Sequence, residues 1–177
     1  MTNKTIVLDL DNTLFEADVI TDSLKEFQLD IKQSSWDLIE VPEKYRKIIE
    51  ERFKMAKYMC SLRPCELAVN KVEKWYGEGF DIICLTARSL EIERETIQMV
   101  QKHFPWIKDT IVVNGSKIKK LAEIKPVLFV DDGPKYIEES LKLGYNTIMI
   151  SNKYTLYNHS LRNKVKWVKK IHDISDI

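Results

Sequence analysis

The sequence lacks the features of a membrane or secreted protein. It has no apolar run close to the roughly 20 residues that a membrane-spanning helix needs, and no apolar segment of the secretory type follows Met1. It has only three cysteines, Cys60, Cys65 and Cys84, whose spacing matches neither an even disulfide set nor a zinc site. We therefore expect a cytoplasmic protein without a membrane partner.

An excess of charge of one sign is also missing. Lys and Arg total 28 and Asp and Glu total 27, so the formal net charge is +1, which argues against stable nucleic-acid binding. Gly and Pro are scarce, with five of each, and they mark the ends of elements rather than a linker. At 177 residues, of which 44% are hydrophobic, the chain is long enough for one core and a modest insertion.

Two carboxylates interrupt the first apolar run. The β-branched run 6–8 predicts a buried strand, and Asp9 and Asp11 follow it two residues apart. Residues i and i+2 of a strand point the same way, so these two carboxylates would emerge side by side. Carboxylates are costly to bury unless they are paired, protonated or bound to a cation, so two this close suit Mg²⁺. Taken alone, such a pair is more often a solvated acidic turn, and it is the rest of the chain that favours the metal.

Polar groups follow two other apolar runs in the same way. The run 81–85 ends in Thr86-Ala87-Arg88, and the run 127–130 ends in Asp131-Asp132. Further short strands are predicted at 110–113 and 146–150, with helices between them. Strands that alternate with helices predict a parallel sheet covered on both faces, with the ligand outside the carboxyl ends of the strands.

With these motifs in this order, the chain resembles the haloacid-dehalogenase-like (HAD) phosphohydrolases over about residues 4–150. The signature of that family is Asp-x-Asp-x-Thr, then Thr or Ser, then Lys, then an acidic pair. The resemblance implies an α/β protein with a Rossmann-like HAD core, a five-stranded parallel sheet and helices on both faces. It also implies a small helical cap at residues 16–63, inserted after the first strand into a core of residues 1–15 and 64–177.

The resemblance assigns a role to each acidic position. Asp9 would be the nucleophile that forms an aspartyl-phosphate, and Asp11 would be the general acid and base. Mg²⁺ would bind Asp9, the backbone carbonyl of Asp11 and the acidic pair. Within that pair we favour Asp132 as the direct ligand and Asp131 as an outer one, although the sequence barely separates the two.

The phosphate group is expected to meet three kinds of donor. Thr86 offers a hydroxyl, and Ala87 offers backbone N–H near the start of a helix. Arg88 either adds a bidentate phosphate contact or is a surface arginine, and the sequence does not decide. Lys117 is our choice for the phosphate-neutralising lysine, because it follows a short strand and a glycine turn. Two competitors lie close by: Lys119 and Lys120.

The identity of the phosphate ester is inferred from features that are less specific than the core signature. The chain is similar to 5′(3′)-deoxyribonucleotidase-type proteins in its cap, in Gly115-Ser116-Lys117 and in a tail with Asn158, Arg162, Val165 and Trp167. The leading interpretation is a Mg²⁺-dependent phosphomonoesterase that acts on a nucleoside monophosphate. For base stacking we name Trp36 first and Phe15 second, against core packing as the alternative.

Two alternatives to this interpretation stay open. Thr86-Ala87-Arg88 is also similar to phosphatases of polynucleotide ends, which leaves a 3′-phosphatase or another small-molecule phosphatase as an option. A non-catalytic phosphate-binding or receiver-like regulatory module is the alternative from another class. The tail is interpreted as a terminal helix that buries Val165, Val168 and Ile171, and the oligomeric state is open, a dimer included.

Overall fold

The fold is described from a computed structural model, which describes residues 4–31, 38–152, 161 and 163–175. Trp36, Asn158 and Arg162 therefore lie outside the described residues. No helix in the described part of the chain is long and apolar enough to cross a membrane.

A parallel sheet forms the centre of the molecule. Its strands are β1 Thr5–Leu8, β2 Asp81–Thr86, β3 Asp109–Val112, β4 Leu128–Asp131, β5 Thr147–Ile150 and β6 Lys166–Val168. Within the described residues the six strands follow the order β3-β2-β1-β4-β5-β6, and each neighbouring pair is parallel. The predicted α/β class and parallel sheet are confirmed, but the predicted number of five strands is wrong.

The sixth strand comes from the tail, where a helix was expected. Val165, Val168 and Ile171 fit helical spacing, but Lys166–Val168 pairs with β5 instead, with Val168 opposite Ile150. The segment is rich in β-branched and aromatic residues, which favour a strand. The open edge of β5 also offers backbone hydrogen-bond partners that an isolated surface helix would not use.

Helices cover both faces of the sheet. They are α1 Val19–Glu26, α2 Glu43–Arg52, α3 Ala56–Met59, α4 Ala68–Gly77, α5 Glu93–His103, α6 Ile118–Ile124 and α7 Pro134–Lys142. Ile6 and Leu8 share an apolar cluster with Trp75 of α4, whereas Val7 lies in a separate cluster with Leu121 of α6. Alternate residues of β1 thus face opposite layers, as the pleat of a strand requires.

The helices α1, α2 and α3 lie in the insertion between β1 and β2, and α1 and α2 share an apolar cluster of their own. Its buried members are Ile20, Leu24, Leu38, Val41 and Ile49. The helical spacing of apolar residues over 42–59 predicts a single helix, but α2 ends at Arg52 and α3 begins only at Ala56. The break allows Phe53 to pack against two apolar clusters at once.

Arg52 is buried at the end of α2 and ties it to α1. Its Nη1 donates to Ser23 Oγ at 2.8 Å, and its Nη2 donates to Glu26 Oε1 at 2.7 Å. The guanidinium lies 4.8 Å from the ring centroids of both Phe27 and Tyr58. A buried cation needs such partners, because desolvation would otherwise disfavour it.

Candidate active site

The strand order brings the polar motifs together. β1 lies between β2 and β4, and the backbone N–H of Asp9 donates to Val130 O at 2.8 Å, which extends the pairing with β4 beyond Leu8. Asp9 therefore lies beside Asp131, the last residue of β4, and near Thr86, the last residue of β2. The predicted meeting of polar groups at the carboxyl ends of the strands is what the structure shows.

Three buried carboxylates form the centre of the site. Asp9, Asp131 and Asp132 each offer a carboxylate oxygen, and these oxygens lie within 4.8 Å of one another. We call these three residues the acid cluster. Oxygen donors grouped in this way are the ligands that a hard divalent cation such as Mg²⁺ prefers.

Lys117 is the lysine that reaches the acid cluster. Its side chain is fully buried, and its Nζ donates to Asp9 Oδ1 and, at 2.7 Å, to Asp131 Oδ2. Of the two competitors, Lys119 is exposed and Lys120 donates to Glu123 at 2.6 Å. Lys117, which directly precedes α6, thus points inward, whereas the two other lysines lie in α6 and are not part of the site.

The pKa shifts show an imbalance of charge. Burial raises the pKa of Asp9 to about 7, and the charges of Asp131 and Asp11 add to burial, while Lys117 opposes it. Burial also raises the pKa of Asp132 well above its usual range. For Lys117, burial alone would lower the pKa, but the nearby carboxylates outweigh burial and raise it.

Counting charges explains why the pKa values of the acids and of the lysine are raised together. One ammonium is strongly stabilised by three carboxylates, but it cannot neutralise all three. Two negative charges remain in excess when the acid cluster is ionised. The donor set and this excess both fit a bound divalent cation.

The two residues of the acidic pair have different partners. Asp131 accepts from Lys117 through Oδ2 and from the backbone N–H of Gly133 through Oδ1, at 2.7 Å each. Asp132 accepts side-chain amides from Asn12, at 3.2 Å, and from Asn152, both through Oδ2. Both of these amide contacts thus fall on the same oxygen of Asp132.

Asn12 and Asn152 were not recognised from the sequence. Asn12 has a left-handed backbone with φ of 59°, which Asn tolerates better than most residues. Its Oδ1 accepts from the backbone N–H of Ala17 at 3.2 Å, so the side chain links the start of the insertion to Asp132. Asn152 could have been predicted, because it follows the carboxyl end of β5 just as the other polar motifs follow the ends of their strands.

Arg88 pairs with Asp11 rather than facing solvent. Its Nε donates to Asp11 Oδ2 at 2.8 Å and its Nη2 to Oδ1 at 2.6 Å. The Arg88 side chain is 2% exposed and that of Asp11 23%, so the surface-arginine interpretation is wrong. The Thr86 hydroxyl accepts from the backbone N–H of Arg88 at 3.3 Å, which leaves its own hydrogen to donate elsewhere.

A cavity of about 630 Å³ opens above these groups. Its lining combines the acid cluster, Asp11 and Thr86-Ala87-Arg88 with a second set of side chains that we call the outer wall: Glu50, Phe53, Lys54, Met59 and Lys135. Tyr136 also lines the cavity, and its ring centroid lies 4.5 Å from Nζ of Lys117. Gly133 lines the cavity too, and a Cβ at this position would come within 2.8 Å of the Tyr136 ring. A side chain at this position would therefore displace the tyrosine.

Phe15 does not line this cavity, and its predicted stacking role is wrong. Its side chain is fully buried and makes edge-to-face contacts with Phe104 at 5.3 Å and His103 at 5.6 Å. The backbone N–H of Asn12 donates to Phe15 O at 2.7 Å, so a tight turn after the first motif returns the ring to the core. Trp36, the other stacking candidate, stays a prediction because it lies outside the described residues.

The three cysteines differ in their surroundings. Cys84 in β2 and Cys65 are buried, whereas Cys60 is half-buried, with its Sγ 4.0 Å from Nη1 of Arg88. Burial raises the pKa of Cys65 to about 12 and also raises that of Cys60. All three are thus poor thiolates at neutral pH.

Comparison with known proteins gives one family and many structures. The family model described as "NLI interacting factor-like phosphatase" matches residues 4–176. No curated protein sequence matches the chain.

Solved structures of similar fold span nearly the whole chain. A predicted phosphatase from Clostridium acetobutylicum is 15% identical, with a TM-score of 0.68 and coverage of 98% of this chain and 96% of that one. A haloacid dehalogenase-like family hydrolase from Streptococcus pneumoniae is 13% identical, with a TM-score of 0.64 and coverage of 93% and 92%. CbbY from Rhodobacter sphaeroides, solved in complex with phosphate, is 10% identical, with a TM-score of 0.60 and coverage of 98% and 100%. At such identities the likeness establishes the fold.

Proposed function

The chain belongs to the NLI interacting factor-like phosphatase family and has the fold of the HAD superfamily, and from this premise we propose that it is a Mg²⁺-dependent phosphomonoesterase acting on a nucleoside monophosphate. The observation that carries the proposal is the contact of Lys117 with Asp9 and Asp131 at the base of an open cavity. A carboxylate, a cation and a hydroxyl donor there supply a nucleophile and two groups that bind phosphate.

Asp9 is the proposed nucleophile. A bond forms between its carboxylate oxygen and phosphorus while the ester P–O bond breaks, and the leaving oxygen takes a proton from Asp11. Water then attacks phosphorus and gives its proton to Asp11, and the bond between Asp9 and phosphorus breaks to release inorganic phosphate. Lys117 and the Thr86 hydroxyl are the proposed donors to the phosphoryl oxygens.

Asp9, Asp132 through Oδ1 and the backbone carbonyl of Asp11 are the groups proposed to hold Mg²⁺. When bound, the cation would neutralise the excess charge of the acid cluster and polarise the phosphate oxygens. Asp131 keeps a different role, since both of its oxygens accept hydrogen bonds and it holds Lys117 in place.

Arg88 is proposed to orient Asp11. Both oxygens of Asp11 accept from the planar guanidinium, and such a fork fixes the orientation of a carboxylate better than a single contact does. Asp11 is still partly exposed and lines the cavity. A direct contact of Arg88 with phosphate, one of the two alternatives that the sequence left open, would require the guanidinium to leave Asp11.

Residues 16–63 are proposed to act as a cap over this cavity. Phe53, Lys54 and Met59 of this segment line it, and the segment packs around its own apolar cluster. A cap in this position would exclude water from the reacting phosphate and contact the alcohol part of the ester.

The test is phosphate release from a panel of esters with Mg²⁺ or EDTA. The panel contains ribo- and deoxyribonucleoside monophosphates, sugar phosphates and a 3′-phosphorylated oligonucleotide. We expect metal-dependent release from a nucleoside monophosphate, abolished in Asp9→Asn and retained in the control Asp109→Asn, which alters an exposed carboxylate at the start of β3.

Three results would change the assignment. Full activity of Asp9→Asn would remove Asp9 as the nucleophile. Phosphate release from the oligonucleotide alone would support the phosphatase reaction but would assign nucleic-acid ends as the substrate. A stable phosphorylated Asp9 with no phosphate release would favour a regulatory module instead.

A further inference from the structure

The outer wall of the cavity consists of side chains to which the phosphate chemistry gives no role. Phe53 directly follows the end of α2, and Met59 lies in α3. A cavity of about 630 Å³ falls in the size range of pockets that hold whole small-molecule ligands. Space beyond the phosphate is therefore available to the alcohol part of the ester.

Phe53 presents a fixed aromatic surface to this space. Its half-buried side chain packs against the apolar cluster around Ile49 and also against the cluster formed by Val19, Met59 and Ile92. The ring is held from two sides and still lines the cavity. A flat surface that is already in position binds another ring with little loss of conformational entropy.

The other described aromatic residues between β1 and α4 are engaged elsewhere. Phe15 is in the core, Tyr45 stacks on Phe27 at 4.9 Å between ring centroids, and Tyr58 lies against the Arg52 guanidinium. Within the described residues of that segment, only the ring of Phe53 lines the cavity.

The charges on the outer wall have both signs. Glu50, Lys54 and Lys135 lie there, and Lys54 Nζ pairs with Glu51 Oε1 at 2.7 Å. A site for a polynucleotide backbone instead presents a track of cations that neutralise successive phosphates. The outer wall therefore suits an alcohol that carries no further charge.

We propose that Phe53, with Met59 packed beside it, binds the ring of the leaving group. The substrate class is then a monophosphate ester of an uncharged, ring-bearing alcohol of nucleoside size, rather than a sugar phosphate or the end of a polynucleotide. This inference rests on the proposed phosphatase activity, and it adds the residues that select the substrate.

Two substrates that differ only in the base test the inference: deoxythymidine 5′-monophosphate and 2-deoxyribose 5-phosphate. Wild-type protein is expected to give the higher kcat/KM with the nucleotide. Phe53→Ala should lower kcat/KM for the nucleotide about tenfold, as expected for loss of one stacking contact. The same variant should keep kcat/KM for the sugar phosphate within about twofold of the wild-type value. Phe53→Tyr should retain the preference, and Tyr45→Ala, which removes a ring that does not line the cavity, should change neither value.

Two outcomes would overturn the inference. One is an equal loss for both substrates in Phe53→Ala, and the other is faster release from a 3′-phosphorylated oligonucleotide than from the mononucleotide. If Phe53→Ala does not fold, Phe53→Leu makes the same comparison, because it keeps an apolar side chain without a flat ring. Failure of the proposed function is distinguishable, since the wild-type protein would then release phosphate from none of the three compounds.

Discussion

Acidification is expected to stabilise the metal-free protein, and Asp9 is the residue through which this can be tested. Its pKa in the folded protein is about 7, whereas an unfolded chain has an Asp pKa of about 3.9. Between these values the folded state binds a proton that the unfolded state does not. The free energy of unfolding must therefore fall as the pH rises through about 7.

The size of the effect follows from the same two pKa values. From pH 5 to pH 8, Asp9 alone should lower the free energy of unfolding by roughly 2–3 kcal/mol. For a chain of this length, that change corresponds to a fall in Tm of about 5–10 °C. Mg²⁺ should reduce the slope, because a bound cation favours the ionised carboxylates.

The assay is thermal unfolding followed by circular dichroism in EDTA, at several pH values between 5 and 8. The wild-type protein is compared with Asp9→Asn, which lacks the titrating group, and with Asp109→Asn, which alters an exposed carboxylate. The difference between the wild-type and Asp9→Asn profiles measures the contribution of Asp9. Identical slopes in these two proteins would refute the charge imbalance inferred for the acid cluster.

The remaining predictions concern groups that hold the site and the insertion in place. Asn12→Gly keeps the left-handed backbone but removes the amide that donates to Asp132, so Mg²⁺ affinity measured by calorimetry should fall about tenfold; unchanged affinity would deny Asn12 this role. Lys117→Met should lower kcat/KM by at least about a hundredfold, and a smaller loss in phosphate-release assays would exclude it as the main phosphate cation. Arg52→Ala should lower the free energy of unfolding in urea by about 2 kcal/mol, because it removes two ring contacts and two hydrogen bonds of a buried cation, while its carboxylate partner Glu26 is 59% exposed. The control Lys47→Ala breaks only an exposed pair and should cost under about 0.5 kcal/mol.

The acid cluster could be predicted because its chemistry is local in the sequence and its assembly follows from topology. Asp9, Thr86 and Asp131 each end or follow an apolar run. Parallel strands bring such ends to one edge of the sheet. Three neighbouring lysines competed in the sequence because nothing in their spacing shows which one the backbone before α6 directs inward.

The contacts that escaped prediction join residues far apart in the chain. Arg88 and Asp11 are 77 positions apart, and Asn12 and Asp132 are 120 positions apart. No local sequence pattern therefore predicts either contact. Phe15 was misplaced for a different reason, since the hydrogen-bonded turn between Asn12 and Phe15 reverses the chain directly after the motif. The tail was misassigned because its apolar spacing fits a helix as well as a strand, and the free edge of β5 decided between them.

Cys60 offers a chemical reporter on the occupancy of the site. Cys65 and Cys84 are buried, so a thiol reagent should label Cys60 first. Its sulfur lies 4.0 Å from the guanidinium that holds Asp11. Any ligand that draws Arg88 away from Asp11 would therefore change both the electrostatic field at this sulfur and its accessibility to a thiol reagent. The rate of alkylation of a single thiol would then follow ligand binding in real time, without an engineered label and without turnover.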